Sequence, residues 1–383
     1  MPVKGDTTTA RRGGAGPRPL PSKMTAVVKT NAAAGAKATE VKAVPVPVPG
    51  QAEVLIRVLA TAICGSDKHI YRWDASMAGM LKPPRIYGHE FCGEIVAFGP
   101  GGKRPHLSEG QYVSAEMHVT CGACRPCSTG RRHICENTRI LGVHGDGCFA
   151  QYVVVPAFNV VPLDAKIISP KVGAFLDALG NAVHATQVAD LSGKSVAVLG
   201  YGPIGAMCAE IARLSGAARI AITEVNALAA AHARKWAQAR GLSQVSVIEL
   251  PKTKDPVGSL RDATGGGADV VLELSGAESS INLGLAAARP GAVLSLLGLP
   301  RDQAVTIRDY TNDLVFKGVT IHAIIGRRVF DTWIKMLDLF RAGLDVEDLV
   351  TDEFEGLEKF HEAMELLDDR RAMKVVFWPN GKG

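Results

Sequence analysis

Two kinds of hydrophobic pattern divide the chain. In the first part, short apolar and β-branched stretches at 26–29, 53–60 and 91–98 are separated by Gly- and Pro-rich clusters at 45–50 and 99–105. Short runs between such breakers predict a β-rich, barrel-like unit from about residue 24 to 162, with few long helices. From about residue 172 to 324 the pattern changes. Continuous apolar runs at 195–200, 219–223, 270–274, 292–297 and 319–324 predict strands buried on both faces, while 204–214 and 227–239 carry helical spacing. Strand alternating with helix predicts an α/β unit with a doubly wound parallel sheet. Beyond it, 329–342 and 357–367 read as helices and 374–378 as a closing strand. No internal repeat is present.

Composition narrows the class. A chain of 383 residues suits two domains, and 47% hydrophobic against 21% charged residues is an ordinary globular balance. The longest apolar run, 292–299, is strand-length, so no membrane span is expected. Most of the net charge of +5 sits in residues 1–24, which carry Lys4, Arg11, Arg12, Arg18 and Lys23 against Asp6. The near-neutral remainder offers no electrostatic basis for nucleic-acid binding. Residues 1–23, rich in Gly, Pro, Thr and Arg, are expected to form a disordered tail without a secretory core. A cytoplasmic location follows as the expectation, with the eight cysteines reduced.

Candidate chemistry falls in three places. Gly200-Tyr-Gly202-Pro203-Ile204-Gly205 follows a strand run and opens a helix run. Its first glycine suits the tight turn, its second the approach of a pyrophosphate, and its third close helix–strand packing. Glu224 ends the next strand, where a carboxylate accepts from both ribose hydroxyls and repels a 2′-phosphate, so NAD is expected over NADP. Cys121, Cys124, Cys127 and Cys135 are spaced C-x2-C-x2-C-x7-C. Four such thiolates suit a closed, structural zinc site; an iron–sulfur cluster is the competing reading, without its usual Cys-Pro. Finally, Cys64 at a strand end and the His89-Glu90 pair would make an open zinc site if brought together. Taken singly, they read equally as a buried apolar cysteine and a loop histidine. Cys92, Cys148 and Cys208 are expected to pack as small apolar residues.

The runs Cys64-Gly-Ser-Asp-Lys-His69 and Gly88-His-Glu-Phe, the four-cysteine segment and the later GxGxxG together resemble the zinc-dependent medium-chain alcohol dehydrogenases, over about residues 24–378. Within that superfamily, runs at 61–74, 119–138, 156–160, 179–184 and 316–333 are most similar to its threonine dehydrogenase branch. The resemblance implies a GroES-like β-barrel catalytic domain (24–175) with a structural zinc lobe at about 119–138. A Rossmann NAD-binding domain (176–324) and a C-terminal return to the barrel (325–383) follow. It implies two zinc ions per chain, one catalytic and one structural. Cys64, His89 and Glu90 match ligands of the catalytic zinc, Asp177 an acid that binds or tunes it, and Ser66 and His69 a proton relay. Cofactor contacts are implied at Gly200, Gly202, Pro203, Ile204, Gly205, Glu224, Leu297, Gly298, Leu299, Ile324 and Ile325.

The implied reaction is hydride transfer from a secondary alcohol to NAD, with L-threonine giving 2-amino-3-oxobutanoate; a polyol, vicinal diol or aminocyclitol is the alternative substrate. A homotetramer is expected on the same ground. Arg327, Arg328 and the 144–146 loop are candidates for holding an amino acid's carboxylate and ammonium, the two arginines being alternatively solvated surface charges. Two departures stand out: Ala229 where the family usually has a cofactor-contacting Arg, and the Gly142-Val-His-Gly-Asp-Gly147 run, which differs from bacterial members.

Overall fold

The structure, a computed structural model, describes residues 19–300 and 304–382. The expected tail lies outside the described residues as far as residue 18, and Lys23, counted with it, instead opens the strand Lys23–Lys29.

The first unit is built on Glu53–Ala62, a ten-residue strand in the middle of a largely antiparallel sheet. Phe91–Phe98 pairs with one edge of it, and Tyr152–Pro156 also pairs with it. The chain returns to this sheet at its end. Lys374–Trp378 lies antiparallel to Glu53–Ala62 and parallel to Val350–Glu355. A smaller sheet of Thr39–Pro45, Lys23–Lys29 and Arg85–Ile86 flanks it.

The second unit is a six-stranded sheet, parallel throughout, in the order Val245–Glu249, Arg219–Glu224, Ser195–Leu199, Ala268–Glu273, Ala288–Leu296, Thr320–Ala323. This is the doubly wound order, with its switch point beside the first strand, Ser195–Leu199. All five residues of that strand are buried, as a strand covered by helices on both faces must be. Two readings need correction. Val245–Glu249 escaped notice because its side chains are mostly half-buried, without a continuous apolar run. Thr320–Ala323, expected to be buried on both faces, is an edge strand with three of four residues exposed, because it has a neighbouring strand on one side only among the described residues. The helices Pro203–Leu214 and Ala227–Ala239 lie where the spacing places them. Leu176–Thr186, almost wholly buried, joins the two units and packs against Pro203–Leu214 and Asp331–Arg341.

Candidate active site

Cys64 follows Glu53–Ala62 and caps the helix Gly65–Arg72. Its backbone N–H donates to Asp67 Oδ2 at 2.8 Å, which fixes the entry of the helix and presents the thiol at the strand end. His89 and Glu90 come from the loop before Phe91–Phe98 and are both buried. The ligand atoms of Cys64, His89 and Glu90 all lie within 4.8 Å of one another. The residues that sequence spacing left scattered are therefore one constellation.

Its surroundings suit a metal ion. Glu90 Oε2 accepts from Lys374 Nζ at 2.5 Å, while Oε1 is buried with no hydrogen-bond partner among the described residues. Asp177 Oδ1 likewise has no hydrogen-bond partner among the described residues, whereas His89 Nδ1 faces Asp67 Oδ1 at 3.4 Å. Orphaned polar atoms of this kind are costly unless something fills the site. A thiolate, an imidazole and a carboxylate form a mixed donor set that zinc accepts in open, catalytic sites. Ser66 Oγ lies 3.3 Å from His89 Nε2. His69, one turn along the same helix, is half-exposed and hydrogen-bonds through Nδ1 to Asp74.

Asp177, in the first turn of Leu176–Thr186, is held by Arg327, whose Nη1 donates to Oδ2 at 2.8 Å. The same guanidinium makes a forked contact with Glu116, from Nε to Oε2 at 2.8 Å and from Nη2 to Oε1 at 2.6 Å, and touches His118 Nδ1. Trp333 Nε1 also donates to Glu116, at 2.8 Å. Glu116, His118 and Asp177 on their own have metal-like spacing, but Arg327 already supplies their cation. Burial alone would raise the Glu116 carboxyl; Arg327 and His118 outweigh it and hold the group well below the usual carboxylate range. Gly180 makes room for this: a Cβ there would stand 2.3 Å from Arg327 Cδ. Arg327 is thus buried and fully engaged, not a solvated charge, whereas Arg328 is exposed. The 144–146 loop is used elsewhere. Asp146 pairs with Arg85, and His144 Nδ1 accepts from the Ile140 N–H.

Two cavities meet over the Gly-rich turn. One of about 930 Å³ is lined by Gly200, Gly202, Thr223, Glu224, Ser275 and Leu299, at the carboxyl ends of the parallel strands. The other, about 490 Å³, runs from Gly202, Pro203, Ile204 and Gly205 to Cys64 and Lys374. A Cβ at Gly205 would sit 2.0 Å from the Gly200 carbonyl oxygen, so the helix reaches the strand only with glycine there. At Gly202 nothing lies within 4 Å of a built Cβ, which leaves the amides at the helix start open to an anion. Glu224 accepts from the Tyr201, Val225 and Asn226 N–H groups at 2.6, 2.7 and 2.8 Å, which fix its carboxylate at the cavity wall. Ala229 lines the smaller cavity; Leu297, Gly298, Ile324 and Ile325 line neither.

The four cysteines form a separate lobe on the hairpin of His118–Val119 and Arg139–Ile140. Their sulfurs lie within 4.8 Å of one another and are not joined as disulfides. Backbone N–H groups of Ala123 and Cys124 draw the Cys121 thiol down to about 6, and Asn137 N donates to the Cys135 sulfur at 3.4 Å. Burial and the neighbouring sulfurs instead push the Cys127 thiol up to about 12; four sulfurs gathered this closely fit a closed zinc site.

Sequence reasoning overlooked Glu116, Trp333 and Lys374. The first two carried a faint signal, one beside His118 and one inside the 316–333 run. Lys374 carried none, since a lysine at a strand start is ordinarily solvated.

A doubly wound coenzyme-type cleft opening on a mixed thiolate–imidazole–carboxylate set defines a zinc-dependent alcohol dehydrogenase. Residues 50–165 match the alcohol dehydrogenase GroES-like domain and 203–342 the zinc-binding dehydrogenase domain. The chain belongs to this zinc-binding dehydrogenase family. Over 364 residues it is 41% identical to an L-threonine 3-dehydrogenase of Thermococcus kodakarensis, covering 94% of this chain and 99% of that one. Among solved structures it resembles the 2R,3R-butanediol dehydrogenase of Bacillus subtilis, with a TM-score of 0.80, 26% identity, and 93% and 100% of the two chains covered. A zinc-binding dehydrogenase of Sinorhizobium meliloti 1021 bound to NADP is similar at a TM-score of 0.79 and 26% identity, covering 94% and 100%.

Proposed function

We propose that the protein oxidises the secondary hydroxyl of L-threonine with NAD+, giving 2-amino-3-oxobutanoate, NADH and a proton. The observation that carries this reading is the convergence of Cys64, His89 and Glu90 on a cavity whose far wall is the Gly200–Gly205 turn. The threonine 3-dehydrogenase relative, matched along almost its whole length, supports the choice of substrate.

Cys64, His89 and Glu90 hold the catalytic zinc, with Asp177 beside them. A bound zinc ion supplies the positive charge that lowers an alcohol's pKa towards neutrality. NAD+ supplies the hydride acceptor. The Ser66 hydroxyl relays the substrate's hydroxyl proton, giving up its own as it accepts it, and His69, open to solvent and oriented by Asp74, passes the relayed proton to solvent. Arg327 fixes Asp177 with one oxygen occupied and the other turned free. Because Arg327 is fully engaged, it positions the acid; it does not grip the substrate's carboxylate. Glu224 accepts from the adenosine ribose and repels a 2′-phosphate, favouring NAD+ over NADP+. The four-cysteine lobe holds a second, structural zinc. A homotetramer belongs to the same reading, supported by the uncovered edge strand Thr320–Ala323. Among the described residues no helix is long and apolar enough to cross a membrane.

The test is turnover of L-threonine, 2-butanol, 2,3-butanediol and sorbitol, each with NAD+ and NADP+, followed by absorbance of the reduced coenzyme. L-Threonine with NAD+ should give the largest kcat/KM. The similarity to a butanediol dehydrogenase makes a diol the second candidate; a diol or polyol far ahead of threonine overturns the substrate while leaving the dehydrogenase intact.

A further inference from the structure

Four cationic side chains line the smaller cavity: Lys68, Arg370, Arg371 and Lys374. Three are already committed. Lys68 is bonded to the Leu367 carbonyl and Asp368, Arg371 to Asp369, and Lys374 to Glu90 and the Ile63 carbonyl. Arg370 makes no side-chain hydrogen bond or ion pair among the described residues.

Its placement is equally unusual. Arg370 follows the helix Phe360–Asp368 with φ +55, in the left-handed region that favours glycine. A bulky, charged residue is therefore carried at a strained position without a side-chain hydrogen bond or ion pair among the described residues to offset the strain. It also lines both cavities, and the only other residues shared by the two linings are Gly202, Glu224 and Leu274. Arg370 stands where the cavities join over the phosphate turn. The segment that carries it leads into Lys374–Trp378, part of the first sheet, whereas Gly202 caps the helix Pro203–Leu214 of the second unit.

We infer that Arg370 is a coenzyme-binding residue, reaching from the catalytic unit to the diphosphate of the dinucleotide held at Gly202. This rests on the dinucleotide reading of the cleft proposed above. The amides at the start of Pro203–Leu214 supply hydrogen bonds and a partial positive charge from one side. Arg370 supplies a full charge and a planar donor fork from the other, a geometry matched to phosphate oxygens. The bridging diphosphate is favoured over a ribose 2′-phosphate because the Glu224 carboxylate occupies the ribose end of the same junction. Bound coenzyme then ties the two units together through this contact.

Arg370→Gly tests the inference without endangering the fold, because glycine relaxes the backbone at φ +55. Titration calorimetry of wild type and variant would use ADP-ribose, adenosine and 2′,5′-ADP at low and at moderate salt. The expected result is an ADP-ribose Kd raised about tenfold or more in the variant, as for loss of a charge-assisted bond, with the adenosine Kd unchanged. The salt dependence of ADP-ribose binding should also be shallower. Equal ADP-ribose affinity in the two proteins overturns the inference. So does an equal loss for adenosine and ADP-ribose, or a loss confined to 2′,5′-ADP. Failure of the wild type to bind ADP-ribose is a different outcome: it removes the dinucleotide reading itself, and the diphosphate contact with it.

Discussion

At the residue scale, the charge balance around Asp177 depends on Glu116, a side chain that never reaches the cavities. Glu116 accepts from Arg327 twice and from Trp333 once, and it is fully buried. Removing its charge leaves Arg327 with only Asp177 as counter-ion in a dry site. Loss of one partner of a buried ion pair costs about 3–5 kcal/mol, so Glu116→Gln should lower the denaturant midpoint by an equivalent amount. The pH dependence follows from the depressed carboxyl. Its contribution is complete above the unfolded value of about 4.3 and is lost as pH falls from there through the lower folded value. In wild type, acid titration of stability should show this loss; in Glu116→Gln that component should be missing.

At the element scale, the four-cysteine lobe and the Cys64 strand end are candidate metal sites of different kinds. The lobe is a short hairpin with one-turn helices, Arg125–Ser128 and Arg132–Ile134, and almost no apolar interior of its own. Such a segment depends on its metal for order. Cys64, by contrast, lies at the end of a strand whose neighbours are packed in the core. Cys64→Ser should therefore lower kcat by more than about 100-fold while leaving the thermal midpoint nearly unchanged. Cys127→Ser should lower the midpoint and release about one zinc ion per chain by metal analysis. An unaltered midpoint and metal content in Cys127→Ser would remove the structural site.

At the scale of the whole molecule, the cleft lies between the two units because the last residues return to the first sheet. Val376 and Phe377 pair with Ala62 and Thr61, which brings Lys374 onto Glu90 and Arg370 to the cavity lined by the Gly202–Gly205 turn. Among the described residues, no strand pairs with the outer edge of the parallel sheet at Thr320–Ala323. Ile321 there is 40% exposed, with Val315 and Phe316 also on the surface. An uncovered apolar edge is a pairing site for another strand. If copies of the chain associate through it, Ile321→Lys should shift size-exclusion elution to a smaller species, with each chain's far-UV spectrum unaltered.

Local patterns were legible in the sequence. The C-x2-C-x2-C-x7-C spacing gathers four sulfurs within fifteen residues, and GxGxxG states a turn whose geometry is local. Continuous apolar runs fixed most of the parallel strands, since a strand covered on both faces tolerates little polarity. Half-buried Val245–Glu249 and uncovered Thr320–Ala323 departed from that rule, one hidden and the other misplaced in the interior. What only the tertiary structure decided was which distant residues share a dry environment. Arg327 meets Glu116 across 211 positions and Lys374 meets Glu90 across 284. The sequence of an arginine or lysine is the same whether it is solvated or buried; its partner is chosen by the packing of whole units, and no local period records it.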